Sequence, residues 1–376
     1  MQKSRCLRSW SPIVFGCVIA VGSGRFGPAL PGVAKAAKQH STSGAVVMVR
    51  AQTDATRVKG AESCQKCHQA EYMAWTKSKH FRNHERVTSA AGREYAQKYG
   101  GTDTCMTCHS TPHTSTAKFA GAVGVSCESC HSPAGGSDGW FDVHFDYGGA
   151  DIRREDETVA HLEERLAACE AAGMNRAMDA YALAMNCCSC HIVASEKLLK
   201  TGHKPGHSDF DLIPWMQGEL RHNFQVDQQT NADSPSLLEA RYGVDAAQRK
   251  RVLLVVGKIA ELETCLRNLA SIDAGNLKKR YAGRRGWAGR AEDAYEYLAE
   301  EIGQAVDNEH INAAVAAVKD IRLGRKFTNQ TAAFTAANKL GIAARLFVAE
   351  QAEANLAGLD RLIKDLGRPK GTAYSP

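Results

Sequence analysis

The pentapeptide Cys-x-x-Cys-His occurs four times in this chain of 376 residues. The copies span residues 64–68, 105–109, 127–131 and 187–191, and we number these motifs one to four in chain order. Each copy places two thiols one helical turn apart and a histidine directly after the second thiol. No other feature constrains the fold as strongly, because it requires the same local geometry at four points of one chain.

This spacing is typical of c-type haem attachment. The two thiols reach the vinyl groups on one edge of a porphyrin, and the histidine that follows binds the iron. A zinc site would not need the histidine, and a redox dithiol would occur once, near a βαβ pattern that we do not find. We therefore expect four covalently bound haem c groups. They are attached by Cys64, Cys67, Cys105, Cys108, Cys127, Cys130, Cys187 and Cys190, with His68, His109, His131 and His191 as iron ligands.

Ten further histidines are available as second axial ligands. Eight of them lie between residues 80 and 222, the stretch that also holds the motifs, whereas His40 and His310 lie outside it. This clustering favours iron ligation over chance surface placement. The sequence does not say which histidine belongs to which iron.

Two stretches resemble the tetrahaem cytochrome c-554 family. Residues 64–80 end in Ala-Trp-Thr-Lys-Ser-Lys-His, and residues 123–133 read Val-Gly-Val-Ser-Cys-Glu-Ser-Cys-His-Ser-Pro. The resemblance extends over residues 60–215 and is strong in the first three motifs. The best-known member of that family accepts electrons from hydroxylamine oxidoreductase. The resemblance therefore implies one-electron transfer, by hopping between closely stacked haems.

The resemblance also implies distal ligands. A histidine five residues after such a tryptophan corresponds to His80, and one shortly after the third motif corresponds to His144. The fourth region departs from the family pattern, and there we nominate His203 and His222. The alternatives are His84, His113, His161 and His207. The family keeps one haem without a distal protein ligand, and motif two is the expected place.

Two functions stay open at this point. The first is an electron carrier between redox partner proteins. The alternative is a small-molecule redox enzyme that acts on NO, hydroxylamine or nitrite at one five-coordinate haem. Whether the chain is an enzyme is left open, but we favour the carrier. The sequence has no Cys-x-x-Cys-Lys motif, and four haems are fewer than the eight of hydroxylamine-oxidising enzymes.

The expected fold class is all-α with little regular sheet. Residues 1–36 have the basic start, apolar run and small residues of a secretory signal peptide, which predicts a periplasmic protein. A linker at 37–59, a tetrahaem domain at 60–232 and an antiparallel helical bundle at 236–368 would follow. Helices are predicted over 158–170, 175–185, 245–270, 286–305, 310–321 and 329–366, with Asp245 as an N-cap.

The charge balance does not predict nucleic-acid binding. Residues 1–36 hold five basic and no acidic residues, so the formal charge falls from +6 to +1 in the mature chain. No apolar run is long enough for a transmembrane segment in the mature chain. The C-terminal bundle would cover the haems, form a homo-oligomer or dock a partner. Six basic residues in 278–290 would steer an acidic partner, form a solvated loop or pair with haem propionates.

After the predicted signal peptide, three cysteines fall outside the attachment positions, and two carboxylates lie in or near the third motif. Cys188 lies inside the fourth motif and is expected to be a free thiol or half of a disulfide. Cys169 and Cys265 would pair with it or with each other. Glu128 and Asp142 are expected to be solvated carboxylates, with tuning of a haem potential as the alternative.

Overall fold

Helices provide the regular structure in this computed structural model, which describes residues 54–99, 101–111, 124–176, 178–206, 210–217, 244–324, 327–367 and 370. Among these residues the strand pairing is limited to one isolated antiparallel bridge between Ile192 and Gly206. The predicted all-α fold with little sheet is confirmed. The signal peptide, most of the linker, His113, His207 and His222 lie outside the described residues.

The half of the chain that holds the motifs is built from short helices. They are α1 (Glu62–Gln65), α2 (Gln69–Thr76), α3 (Glu85–Thr88), α4 (Ala90–Tyr99), α5 (Thr102–His109), α6 (Cys127–His131), α7 (Trp140–His144), α8 (Val159–Ala171), α9 (Ala180–His191), α10 (Glu196–Lys200) and α11 (Leu212–Gln217). Motifs two, three and four lie at the C-terminal ends of α5, α6 and α9. Motif one begins inside α1 and ends three residues after it. The predicted helix over 158–170 is confirmed, with Thr158 as its N-cap, whereas the next one begins at Ala180 and continues through motif four.

Longer helices follow in the C-terminal half. They are α12 (Ala246–Ser271), α13 (Trp287–Glu296), α14 (Gly303–Ala305), α15 (Glu309–Val318), α16 (Gln330–Ala349) and α17 (Asp360–Asp365), with a π-helical turn over Tyr297–Ile302 between α13 and α14. The Asp245 carboxylate accepts a hydrogen bond from the Gln248 amide at 2.6 Å, so the predicted cap of α12 is confirmed. Among the described residues no helix is both long and apolar enough to cross a membrane.

The prediction of one helix over 329–366 is wrong. Helix α16 ends at Ala349, and α17 begins only at Asp360. Between them the Gln248 side chain donates hydrogen bonds to the carbonyls of Gln351 and Ala354, at 2.8 and 2.7 Å. These tertiary hydrogen bonds, together with burial of two leucines in the turn, override the local helix propensity.

One hydrophobic core joins α9 to the C-terminal helices. Helix α12 lies at its centre and contacts α9, α13 and α16. Apolar side chains of α9, from Ala180 to Ile192, belong to the same cluster as those of α12. The domain boundary near residue 232 stays a prediction. Helix α9, which precedes that boundary in sequence and ends in motif four, packs against helices α12 and α16, which follow it. The part of the chain that holds the first three motifs has a much smaller core, a cluster of Ala134, Trp140 and Cys169.

A buried ionic network fastens α9 to α12 and α16. Tyr181 donates a hydrogen bond of 2.6 Å to the Glu263 carboxylate, which is 1% exposed. Arg267 pairs with Glu263 at 2.7 Å and donates to Asn338 at 3.0 Å. Burial raises the pKa of Glu263, and Arg267 opposes that rise. Arg267 therefore offsets the free-energy cost of burying the Glu263 carboxylate in this core.

Replacing Arg267 with methionine is expected to lower the free energy of unfolding by about 3–5 kcal/mol, because Glu263 would remain buried without its cation. The matched control is Arg361→Met, which removes a guanidinium whose side chain is 70% exposed in its ion pairs. That change should cost less than about 1 kcal/mol. Urea unfolding followed by far-UV circular dichroism measures both. Equal losses would show that the Glu263 pair does not secure the interface.

Candidate haem sites

The segment after motif one is fixed by hydrogen bonds to the segment before motif three. The Trp75 indole donates to the Val125 carbonyl at 2.8 Å, and the Val125 amide donates to the His80 carbonyl at 2.9 Å. A Cβ at Gly124 would lie 1.8 Å from the His80 carbonyl oxygen, so this close approach requires glycine. The position of His80 is therefore set by residues that lie about 45 positions further along the chain.

Glu128, inside motif three, is a structural anchor. Its carboxylate is 1% exposed and accepts the amides of Lys59, Gly60 and Ala134 at 3.0, 2.8 and 2.8 Å. These hydrogen bonds tie helix α6 to the chain that leads into motif one. The expectation of a solvated carboxylate is wrong for Glu128, whereas Asp142 is exposed as expected.

The motif-three histidine has its ring held in place. His131 Nδ1 lies 2.9 Å from the Asn175 carbonyl oxygen, and the Asn175 side chain donates to the Cys130 carbonyl at 2.9 Å. A proton on Nδ1 that is shared with a carbonyl leaves Nε2 unprotonated, which is the tautomer of metal-binding histidines. The Asn175 carbonyl therefore orients the His131 ring as a hydrogen-bond partner orients a metal ligand.

The motifs adjoin one another in space. The Cys64 and Cys127 thiols hydrogen-bond to each other, which lowers the pKa of Cys64 and raises that of Cys127. Burial raises the pKa of Cys187, and the nearby Cys130 thiol raises it further. Motif three is therefore next to both motif one and motif four.

His144 faces the histidine of motif one. The ring centroids of His68 and His144 lie 6.2 Å apart, with 24° between the ring planes. The His144 Nδ1 atom is buried without a hydrogen-bond partner among the described residues. Burial lowers the pKa of His144 to about 4, and His68 adds to that effect. The ring is therefore neutral at pH 7, the state in which imidazole binds a metal.

His80 faces the histidine of motif four. The ring centroids of His80 and His191 are 6.0 Å apart, and Phe210 stacks on His191 at 4.1 Å. Gly206, at a φ of +120°, lies where a Cβ would be 2.0 Å from the His191 carbonyl oxygen. The loop after α9 thus closes tightly against motif four.

Two histidines lie near motif two. Burial lowers the pKa of His109, and the nearby His203 lowers it further. His203 Nδ1 is 2.8 Å from the Lys204 carbonyl oxygen, so a proton on Nδ1 would leave Nε2 unprotonated. His84 is the other one. Its neighbour Asn83 donates to the Cys108 carbonyl at 3.4 Å, and the buried His84 Nδ1 has no partner in the described part of the chain.

The remaining candidates have structural roles or lie outside the described residues. His161 pairs with Glu157 at 2.8 Å, beside Arg165. Cys169, Cys188 and Cys265 are buried free thiols, and burial raises the pKa of Cys188 to about 12. Cys169 belongs to a different core cluster from the other two. Cys188 is buried in the large core as a free thiol, one of the two states expected for it.

The ring spacing of the two histidine pairs fits two ligands of one haem iron. Two imidazoles that bind one iron have ring centroids roughly 6 Å apart, since each metal–nitrogen bond is about 2 Å long and each centroid lies about 1 Å beyond the nitrogen. The distances of 6.2 and 6.0 Å match this value. Each pair joins one motif histidine to a histidine from elsewhere in the chain, a pairing that spacing alone does not reveal.

Comparison with known families agrees with this geometry. Residues 63–132, which include the first three motifs, match the family described as cytochrome c554 and c-prime. This segment is similar to c554-type cytochromes. The match supports covalently bound haem c and a role in electron transfer. The match ends before motif four. No curated protein and no solved structure matches the chain.

For the c554-type segment we expect Glu128→Gln to lower the free energy of unfolding by about 2–3 kcal/mol, because an amide cannot accept all three backbone N–H groups. The control Asp142→Asn alters an exposed carboxylate and should change it by less than about 0.5 kcal/mol. Urea unfolding of the haem-loaded protein measures both. A shift in haem potential without a loss of stability would instead show that Glu128 acts on the iron.

Proposed function

We propose that the chain is an exported, periplasmic tetrahaem cytochrome that passes single electrons between redox proteins. Two imidazole pairs, at centroid distances of 6.2 and 6.0 Å, carry this proposal. When bound, haem c supplies the one-electron chemistry. The residues of the chain attach, orient and bury it.

The proposed ligand sets follow from the contacts. His68 and His144 hold the first iron, and His191 and His80 hold the fourth. At the second iron His109 is joined by His203. His131 holds the third iron. His222, which the sequence predicts as a distal ligand without assigning it to an iron, is proposed as the second ligand there. These sets close all four irons, in contrast to the open site that the resemblance implies at motif two. Closed irons favour electron transfer over small-molecule chemistry, because the latter needs an open coordination position.

Haem stoichiometry tests the cofactor count. The pyridine haemochrome of the purified protein should give four haems per chain. The variant Cys187→Ser/Cys190→Ser should give three, because it removes both thioether bonds of motif four. Motif four is the one to test, since it lies outside the family match. A control, Cys188→Ser, alters the cysteine between them and should keep four. Three haems in the unaltered protein would contradict the proposal.

Removal of one distal ligand tests the pairing. His144→Ala should convert one of four haems to the high-spin ferric state in the EPR spectrum, and added imidazole should restore the low-spin signal. His161→Ala is the control, because His161 pairs with Glu157 instead. The unaltered protein should be low-spin throughout. A high-spin signal before any change would favour the enzymatic alternative, and an unchanged spectrum of His144→Ala would refute the His68–His144 pair.

A further inference from the structure

Basic side chains gather next to motif four in the folded chain. Residues 196–204 and 273–285 together hold eight basic and two acidic residues. We define the basic surface as the eight basic ones, all exposed: Lys197, Lys200, Lys204, Lys278, Lys279, Arg280, Arg284 and Arg285. Arg290, which the sequence placed in the same patch, instead pairs with Glu261 in the interior.

Hydrogen bonds join the two segments. The Glu196 carboxylate accepts from the Asn276 side chain at 2.5 Å and from the Asp273 amide at 3.4 Å. Glu196 and Lys200 also act on the pKa of Tyr281, which burial raises. The 278–285 turn therefore lies beside helix α10 in the fold, although about 80 residues separate them in sequence.

Motif four lies at the base of this surface. The first of the two segments begins five residues after His191, and it is closed by the bridge between Ile192 and Gly206. The Val193 amide donates to the Pro205 carbonyl at 3.1 Å at the same point. The lysines of residues 196–204 are therefore carried on a loop whose two ends meet beside His191.

Most of this charge is uncompensated. Arg284 pairs with Glu292, and Lys200 pairs with Glu196. The other six basic residues of the surface have no ion-pair partner within the described ranges. The mature chain has a formal charge of only +1, so the rest of the molecule is on balance acidic, and the positive potential is concentrated at this face.

We propose that the basic surface docks an acidic redox protein beside motif four, so that electrons enter or leave the chain there. This rests on the proposed electron-transfer function. Opposite charges would steer the two proteins together and speed their encounter. An anionic lipid surface or a nucleic acid could also bind these basic side chains. Neither explains why the basic side chains lie beside a haem-attachment motif.

The test compares two triple charge reversals. Lys278→Glu/Lys279→Glu/Arg280→Glu alters the basic surface, and Lys319→Glu/Arg322→Glu/Lys364→Glu alters three exposed bases elsewhere by the same charge. The probe is an acidic plastocyanin, whose oxidised copper accepts one electron from the reduced cytochrome. At low salt the first variant should react about tenfold more slowly than the unaltered protein, and the control within about twofold. The difference should vanish at high salt.

Binding is measured separately, by the affinity of the copper protein for each variant at low salt. Equal affinity of the two variants would overturn the docking proposal. Loss of a haem or a shift of a haem potential in the first variant would also overturn it, because the basic side chains would then pair with haem propionates. Preferential binding to phosphatidylglycerol vesicles, without binding to plastocyanin, would also overturn it. Charge-dependent binding without electron transfer would keep the docking surface and refute the proposed function.

Discussion

Helix α9 is the element on which the arrangement of the motifs depends. Its apolar side chains are buried in the core around α12, and its C-terminal turn carries Cys187, Cys190 and His191. The buried Tyr181–Glu263–Arg267 network fixes its N-terminal half. A haem site at the end of such a helix is held as rigidly as the core itself. The fourth site therefore differs from the others, which lie in short helices with little core.

The first three motifs are held chiefly by hydrogen bonds to the backbone. Glu128 binds three amides, Trp75 binds the Val125 carbonyl, and Asn175 binds both the end of α6 and the His131 ring. Such contacts fix geometry but bury little apolar surface. Porphyrin faces would supply the apolar surface that the side chains do not. The fold of this part is thus coupled to haem attachment more strongly than the C-terminal half is.

The sequence predicted local structure well where the signal was local. Asp245 caps α12 because its side chain reaches an amide three residues away, and the four motifs lie on helical turns as their spacing requires. The interruption after Ala349 was missed because Gln248, about 100 residues earlier, binds the carbonyls of that turn. The pairing of His80 with His191 was beyond reach for the same reason, since it depends on how Val125 and Gly124 place His80. Motif spacing, clustering and the family resemblance gave the candidate ligands. Which of their rings lie next to each other depends on tertiary contacts.

The charges around motif four are of two kinds with different consequences. Inside, Lys258 pairs with Asp211 and Glu261, and Arg290 pairs with Glu261. Two cations face two anions, so this buried cluster has no net charge. Outside, the basic surface is unbalanced and reaches into solvent, where its field acts on approaching molecules within about one Debye length. The balanced cluster therefore joins α12 to α13 and to the chain just before α11, while the unbalanced one is suited to selecting a partner by charge.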